Sequence, residues 1–235
     1  RVLEFAKTLK NLKKFIYFST DEVFGPAPKG IAYRETDRVN STNPYSASKC
    51  GAEQLAMSYA NCYKMPVIIL NTMNVFGERQ HVEKFIPGTI KKILSGETVT
   101  IHASPDKKIA GTRYYIHARN VSAAILFILN KIGDYHSKSI YYIDEKGYPQ
   151  FRHRYNIVGE KEVDNLELAQ LIAKVLKKPL KYEMMNFHSS RPGHDLHYRL
   201  SMKKMEGMGW ELPLGFEDSL RSTIEWTLKN KKWLN

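Results

Sequence analysis

Short apolar runs, separated by polar stretches rich in Pro and Gly, divide this chain into alternating strands and helices. Phe15-Ile16-Tyr17-Phe18, entered from Lys14, has the continuous apolar pattern of a strand buried on both faces. Pro66 to Leu70, rich in Val and Ile, predicts a second. Ser139–Ile143 and Tyr155–Val158 read as further strands, with shorter extended pieces at Thr98–His102 and Tyr114–Ile116. Helical periodicity lies between them. Pro44 to about Cys62 is one helix, and Ile86 to Leu94, closed by Ser95-Gly96, is another. Ala118 to Asn130 places Val121, Ile125, Ile128 and Leu129 on one face. Asp164 caps a helix to about Lys177, and Phe216–Leu228 carries the stripe Leu220, Ile224, Leu228. Gly25 to Asn43 reads as a loop. The alternation predicts an α/β fold with a parallel, doubly wound sheet; the less regular later pieces predict a smaller C-terminal domain.

Composition changes this picture little. At 235 residues the chain can bury a core as one large or two small domains. Its 43% hydrophobic and 26% charged content excludes a disordered chain. No stretch approaches the roughly 20 apolar residues of a membrane span, so no membrane partner is expected. Cys50 and Cys62 fall in one predicted helix, about 18 Å apart at the helical rise, too far for a disulfide. Two free thiols point to a reducing, cytoplasmic setting. The net charge of +12 suits nucleic acid or anionic metabolites. Zinc spacing, an RNA-binding aromatic signature and a continuous basic helix are all absent, so neither metal nor nucleic acid is expected. Lys229-Asn230-Lys231-Lys232 reads as a solvated helix end.

The chemistry concentrates after the first strand. Ser19-Thr20-Asp21-Glu22-Val23-Phe24-Gly25 delivers a hydroxyl and two adjacent carboxylates at its carboxyl end, where open α/β sheets bind ligands. Tyr45 lies four residues before Lys49 on a predicted helix, so both share a face. A phenol beside an ammonium can serve as a base; bringing it from about 10 to about 7 needs roughly 4 kcal/mol of phenolate stabilisation. Alone, Tyr-x-x-x-Lys describes two ordinary surface residues, and Asp-Glu an acidic turn. In sequence together they are a strong signal.

Together with Asn71-Thr72-Met73-Asn74-Val75-Phe76-Gly77, Val82-Glu83-Lys84-Phe85-Ile86-Pro87, Arg113-Tyr114-Tyr115-Ile116-His117, Tyr155-Asn156-Ile157 and Arg191-Pro192-Gly193-His194-Asp195, these blocks resemble the extended short-chain dehydrogenase/reductase superfamily. Within it, the chain is similar to the nucleoside-diphosphate-glucose 4,6-dehydratases. The resemblance runs from about Leu12 to the end and implies a Rossmann-like fold with NAD as cofactor. It implies UDP- or dTDP-glucose as substrate, converted to the 4-keto-6-deoxy derivative for rhamnose-type biosynthesis. It also implies roles. Tyr45 takes the 4-hydroxyl proton as NAD takes the hydride, and Lys49 tunes Tyr45. Thr20 hydrogen-bonds the 4-oxygen, Glu22 takes the carbon-5 proton, and Asp21 protonates the leaving hydroxyl. Ser19, Tyr45, Lys49 and Asn74 would hold the cofactor. Asn74, Lys84, Arg113, Asn156, Arg191 and His194 would hold the nucleotide sugar. The expected division is 1–80 with 113–160 as the cofactor domain and 81–112 with 161–235 as the substrate domain. A homodimer through the Tyr45 helix and the opening helix is expected.

Some positions depart from the family pattern. Val75, Glu78 and Asn120 differ, the loop from His102 to Thr112 is long, and Lys138 to His153 reads as an insertion. A dinucleotide fold opens with a Gly-rich turn, and no such glycine cluster occurs. Arg1–Lys7 reads as the middle of an amphipathic helix, so a fragment lacking about the first three strands is expected. The rival readings are a nucleotide-sugar 4-epimerase or decarboxylase, which needs no Asp-Glu pair after the hydroxyl residue, a catalytically silent nucleotide sensor, and, on charge alone, an RNA-binding scaffold.

Overall fold

In the computed structural model, which describes residues 1–137, 139–186 and 197–235, the chain opens with α1 (Val2–Lys7) and β1 (Phe15–Thr20). A 3-10 turn (Asp21–Phe24) leads through a long loop to α2 (Pro44–Tyr63). Then come β2 (Val67–Thr72), β3 (Asn74–Phe76), α3 (Phe85–Ser95), β4 (Val99–Ala103), β5 (Thr112–His117) and α4 (Ala118–Ile132). The short strands β6 (Tyr141–Ile143), β7 (Pro149–Phe151), β8 (Arg154–Ile157) and β9 (Glu162–Asp164) precede α5 (Asn165–Leu176). The chain closes with β10 (Tyr182–Asn186), α6 (Lys203–Gly207) and α7 (Phe216–Lys229).

These elements form two compact units. The first comprises Arg1–Thr72, Ala124–Ile157 and Arg199–Trp210. Here β1, β2 and β8 make a parallel sheet in that order, with Phe15 opposite Val67 and Leu70 opposite Tyr155. Every residue of the central strand β2 is buried, which is why its sequence is a run rather than an alternation. Asn43 starts α2: its side chain accepts from the Ser46 N–H, and the Ser46 hydroxyl answers the Asn43 N–H, with Pro44 at the first helical position. Ala56 and Ala60 let α2 lie close against Val67 and Ile69. The stretch expected as one strand and an insertion is an antiparallel hairpin, β6 with β7. Asp144 closes its turn by accepting the N–H groups of Lys146 and Tyr148, both at 2.9 Å.

The second unit comprises Met73–Ala123, Val158–Tyr198 and Glu211–Asn235. In it β3 pairs parallel and β9 antiparallel with β5, and β4 pairs parallel with β10. Its core gathers Ile86, Ile90 and Ile93 from α3, Leu168 and Ile172 from α5, and Leu220 and Ile224 from α7. Asp164 caps α5 through the N–H groups of Leu166 and Glu167, at 2.6 and 3.1 Å. Gly159 admits no side chain, because a Cβ there would lie 2.1 Å from the Tyr115 carbonyl oxygen.

The unit bounds differ from the expected division. Residues 73–80, 113–123 and 158–160 fold in the second unit, because β3 pairs with β5 and Gly159 packs on Tyr115. Residues 199–210 fold in the first, where Tyr33 accepts the Ser201 N–H at 2.8 Å and donates its own to Arg199 at 3.0 Å. On α4, Val121, Ala124 and Ile128 are buried while Ile125 and Leu129 are half-buried. Cys50 and Cys62 are both free. Among the described residues no helix is long and apolar enough to cross a membrane.

Candidate active site

The strand β1 ends in two buried hydroxyl residues, Ser19 and Thr20, and the chain then turns sharply. Thr20 caps the 3-10 turn. Its Oγ1 accepts the Glu22 N–H at 3.4 Å and donates to Asp21 Oδ1 at 3.0 Å. Asp21 is buried and Glu22 half-buried. Asn43, the cap of α2, donates through Nδ2 to Glu22 Oε2 at 2.8 Å. The residue that starts the helix thus also fixes the second carboxylate. Two positions on, Tyr45 is 52% exposed, and Glu22, Asp21 and Thr20 are all near enough to act on its phenol. A hydroxyl, two carboxylates and a phenol therefore converge at the carboxyl end of β1.

Lys49 is anchored to the same strand. Its ammonium donates to the Phe18 carbonyl and lies 4.7 Å from the centre of the Tyr17 ring. The expectation that an ammonium lowers the phenol does not describe the free chain. Burial pushes the Tyr45 phenol up, the Glu22 and Asp21 carboxylates push it further, and the Thr20 hydroxyl opposes them. Beside Thr20, the Ser19 hydroxyl is buried without a hydrogen-bond partner, a state that ordinarily costs about 1–3 kcal/mol.

The other expected residues are distributed between the units. In the second, Asn74 is exposed on β3 and Lys84 is exposed immediately before α3. Arg113 on β5 donates to the Thr112 carbonyl at 2.7 Å and lies 4.8 Å from the Tyr198 ring centre. In the first unit, Asn156 is fully buried. Its amide donates to the carbonyls of Tyr33 and Ser201 at 3.0 and 3.2 Å, so it ties the loop after the 3-10 turn to β8. Arg191 and His194 lie outside the described residues. Among the described residues no group of three or more His, Cys, Asp or Glu could hold a metal ion.

The profile of the NAD dependent epimerase/dehydratase family matches residues 1–143. This chain belongs to that family. It is 31% identical over 234 residues to a trifunctional UDP-glucose 4,6-dehydratase/UDP-4-keto-6-deoxy-D-glucose 3,5-epimerase/UDP-4-keto-L-rhamnose-reductase of Arabidopsis thaliana, covering 99% of this chain and 32% of that protein. To the dTDP-D-glucose 4,6-dehydratase of Homo sapiens it is 32% identical over 229 residues, covering 95% and 59%. Its fold matches the crystal structure of the Bacillus anthracis dTDP-glucose 4,6-dehydratase in complex with NAD with a TM-score of 0.80 at 28% identity, over 100% of this chain and 68% of that one. The chain thus spans 32% to 59% of the length of these curated relatives.

In this family member a buried charge network supports the site, and it was not foreseen from the sequence. Arg154 on β8 donates to Glu53 Oε2 at 2.7 Å and to Asn71 Oδ1 at 2.9 Å. Asn71 donates to Glu53 Oε1 at 2.7 Å and to the Thr20 carbonyl at 3.2 Å. Glu53 and Asn71 are wholly buried, so the network holds the backbone of Thr20 from beneath. One signal was available: Glu53 shares the inner stripe of α2 with Ala56 and Ala60, where a lone carboxylate demands a partner.

Lys204 is a second buried charge in the first unit. Its ammonium donates to the carbonyls of Arg152, at 2.7 Å, and Arg154. Burial lowers it to about 8, with Glu35 opposing and Arg152 and Arg154 assisting. The folded state therefore binds fewer protons than the unfolded state between about 8 and the ordinary value of 10.5. The charged-lysine penalty is fully present below pH 8 and vanishes above 10.5. Relative to Lys204→Met, the unaltered protein should gain stability across that window in denaturant titrations at several pH values. A difference that stays flat would show that Lys204 is not a buried ammonium.

Proposed function

We propose that this chain is part of an NAD-dependent nucleotide-sugar 4,6-dehydratase, a lyase acting on UDP- or dTDP-glucose. The observation that carries the reading is the convergence of Tyr45, Thr20, Asp21 and Glu22 at the end of β1. A 4-epimerase or decarboxylase needs the phenol and the lysine but not a carboxylate pair at that point.

The carbon-5 proton of glucose becomes acidic only when carbon 4 is a ketone. Elimination therefore needs a base for the 4-hydroxyl, a second base at carbon 5 and an acid at carbon 6. Tyr45 serves as the first base, and Thr20, close by at the end of β1, steadies the 4-oxygen. Glu22, held by Asn43, takes the carbon-5 proton. Asp21 gives a proton to the departing hydroxyl. Their roles require one carboxyl ionised and one protonated, and like charges in close proximity drive such states apart. A bound NAD would supply the hydride acceptor for carbon 4, the hydride for carbon 6 and a positive charge that favours the phenolate. Ser19, Tyr45, Lys49 and Asn74 would hold it. The exposed phenol and the unpartnered Ser19 hydroxyl fit that duty.

Lys84, Arg113 and Asn74, with Arg191 and His194, would hold the nucleotide diphosphate; guanidinium groups match phosphate oxygens bidentately. Asn156 would join them: its amide nitrogen fixes the loop, and its buried Oδ1 has no hydrogen-bond partner among the described residues. A homodimer through α2 and α1 is supported by exposed Leu55 and Phe5, and a cytoplasmic setting by the two free thiols.

The test is Glu22→Gln in the full-length protein, with UDP-glucose and dTDP-glucose as substrates. Oxidation at carbon 4 should persist while elimination stops, so reduced cofactor accumulates and solvent exchange at carbon 5 disappears. Normal formation of the 4-keto-6-deoxy product would overturn the assignment. Inversion at carbon 4 without loss of water would establish the epimerase instead.

A further inference from the structure

A cavity of about 910 Å³ lies away from the end of β1. Thr20, Asp21, Glu22, Tyr45 and Lys49 do not line it. It lies within the first unit, between the β6–β7 hairpin, the loop at 34–38 and the start of α6. The hairpin leads into the amino end of β8 at Arg154, whereas Thr20 closes the carboxyl end of the parallel strand β1. The cavity is therefore built by the inserted segment rather than by the elements that carry Tyr45 and Lys49. Its volume falls in the range of sites that take small metabolites.

Charge in this cavity is unevenly committed. Each acidic residue already serves the protein. Glu145 pairs with Arg34 at 3.3 Å. Asp144 accepts from the hairpin turn and, at 2.7 Å, from Gln150 Nε2. Asp37 accepts the Arg34 N–H at 2.7 Å. Three cations keep their donors: the side chains of Arg38, Lys146 and Lys203 make no hydrogen bond or ion pair among the described residues, although the Lys146 charge acts on Asp144. They can take an anion without breaking any contact.

Two further groups line the same cavity. Glu35 is only 8% exposed, with Oε1 accepting the Asn156 N–H at 2.9 Å. Lys204 places two of its three donors on main-chain carbonyls and retains the third. Burial raises the Glu35 carboxyl and lowers the Lys204 ammonium, the mark of groups kept out of water beside a cleft. A donor and an acceptor so placed match a ligand with hydroxyl groups, and Tyr148, 64% exposed at the rim, offers a ring face.

We propose that this cavity is a second ligand site, which binds a sugar phosphate with the phosphate on Arg38, Lys146 and Lys203 and the hydroxyls on Glu35 and Lys204. The site stands independently of the 4,6-dehydratase reading, since it shares no residue with that chemistry.

Hydrogen exchange on the full-length protein tests it, with glucose 1-phosphate as the probe and inorganic phosphate and glucose as controls. Glucose 1-phosphate at millimolar concentration should slow exchange in 142–150 and 203–204, and do so equally in Tyr45→Phe. Reversing all three cations, as Arg38→Glu, Lys146→Glu and Lys203→Glu, should weaken binding at least tenfold. Should the triple variant fold poorly by circular dichroism, Lys146→Glu alone, at the exposed hairpin turn, should weaken it severalfold. No protection of 142–150, or unchanged binding by a folded variant, would overturn the site. Protection by inorganic phosphate equal to that by glucose 1-phosphate would overturn the sugar half of the proposal.

Discussion

Tyr45→Phe is expected to lower turnover by about 10²- to 10⁴-fold with the melting temperature nearly unchanged. The substitution removes one oxygen and almost no volume. The phenol hydroxyl is half-exposed, so any polar contact it gives up contributes about 1 kcal/mol or less to stability. The lost chemistry is larger. Without the phenol nothing at that position can take the 4-hydroxyl proton, while Thr20, Asp21 and Glu22 keep their mutual bonds. Steady-state rates with both nucleotide sugars, beside thermal melts of the two proteins, separate the effects. A fall of less than tenfold would mean that a different group is the base. A large fall in melting temperature would mean that the tyrosine is structural.

Arg154→Met should destabilise the fold by about 3–5 kcal/mol, the cost of leaving one member of a buried ion pair alone. Glu53 is wholly buried, and its two oxygens are held by Arg154 and Asn71. With the guanidinium gone, a carboxylate stays in the interior with one amide for company. Equilibrium unfolding in urea would measure the loss. Adding Glu53→Leu to Arg154→Met should recover most of it, because a buried pair replaced by apolar groups is often neutral or better. A single variant that loses under 1 kcal/mol, or a double variant no better than the single, would contradict a tightly paired interior charge. Because Asn71 also holds the Thr20 carbonyl, the single variant should lose activity before it loses its fold.

What was legible in the sequence is what short-range rules control. The run Phe15–Phe18 was legible as a strand, and the residues after it had to lie at its carboxyl end; its expected burial does not hold, since at the edge of the three-stranded sheet Phe15, Ile16 and Tyr17 are half-buried and Phe18 is exposed. Four-residue spacing on a helix placed Tyr45 and Lys49 on one face before any partner was known. Asp164 and Gly96 announced helix ends, because a cap is an interaction of a residue with its own neighbours. Tertiary structure alone decided the rest. Arg154 and Glu53 meet across 101 positions, and neither side of that pair names the other in sequence. Asn156 lies beside Ile157 in a motif that suggests ligand contact, and only the fold shows that its amide nitrogen is taken by the carbonyls of Tyr33 and Ser201. The strands β3, β9 and β10 are three to five residues long, too short to show a period, and exist because β5 and β4 supply their hydrogen bonds. The phenol of Tyr45 rises where spacing to Lys49 suggested a fall, because burial and then the Glu22 and Asp21 carboxylates push it up, while the ammonium is taken by the Phe18 carbonyl. Periodicity and capping are local and survive in one dimension, whereas the balance of charge around a side chain is set by groups that only folding brings near.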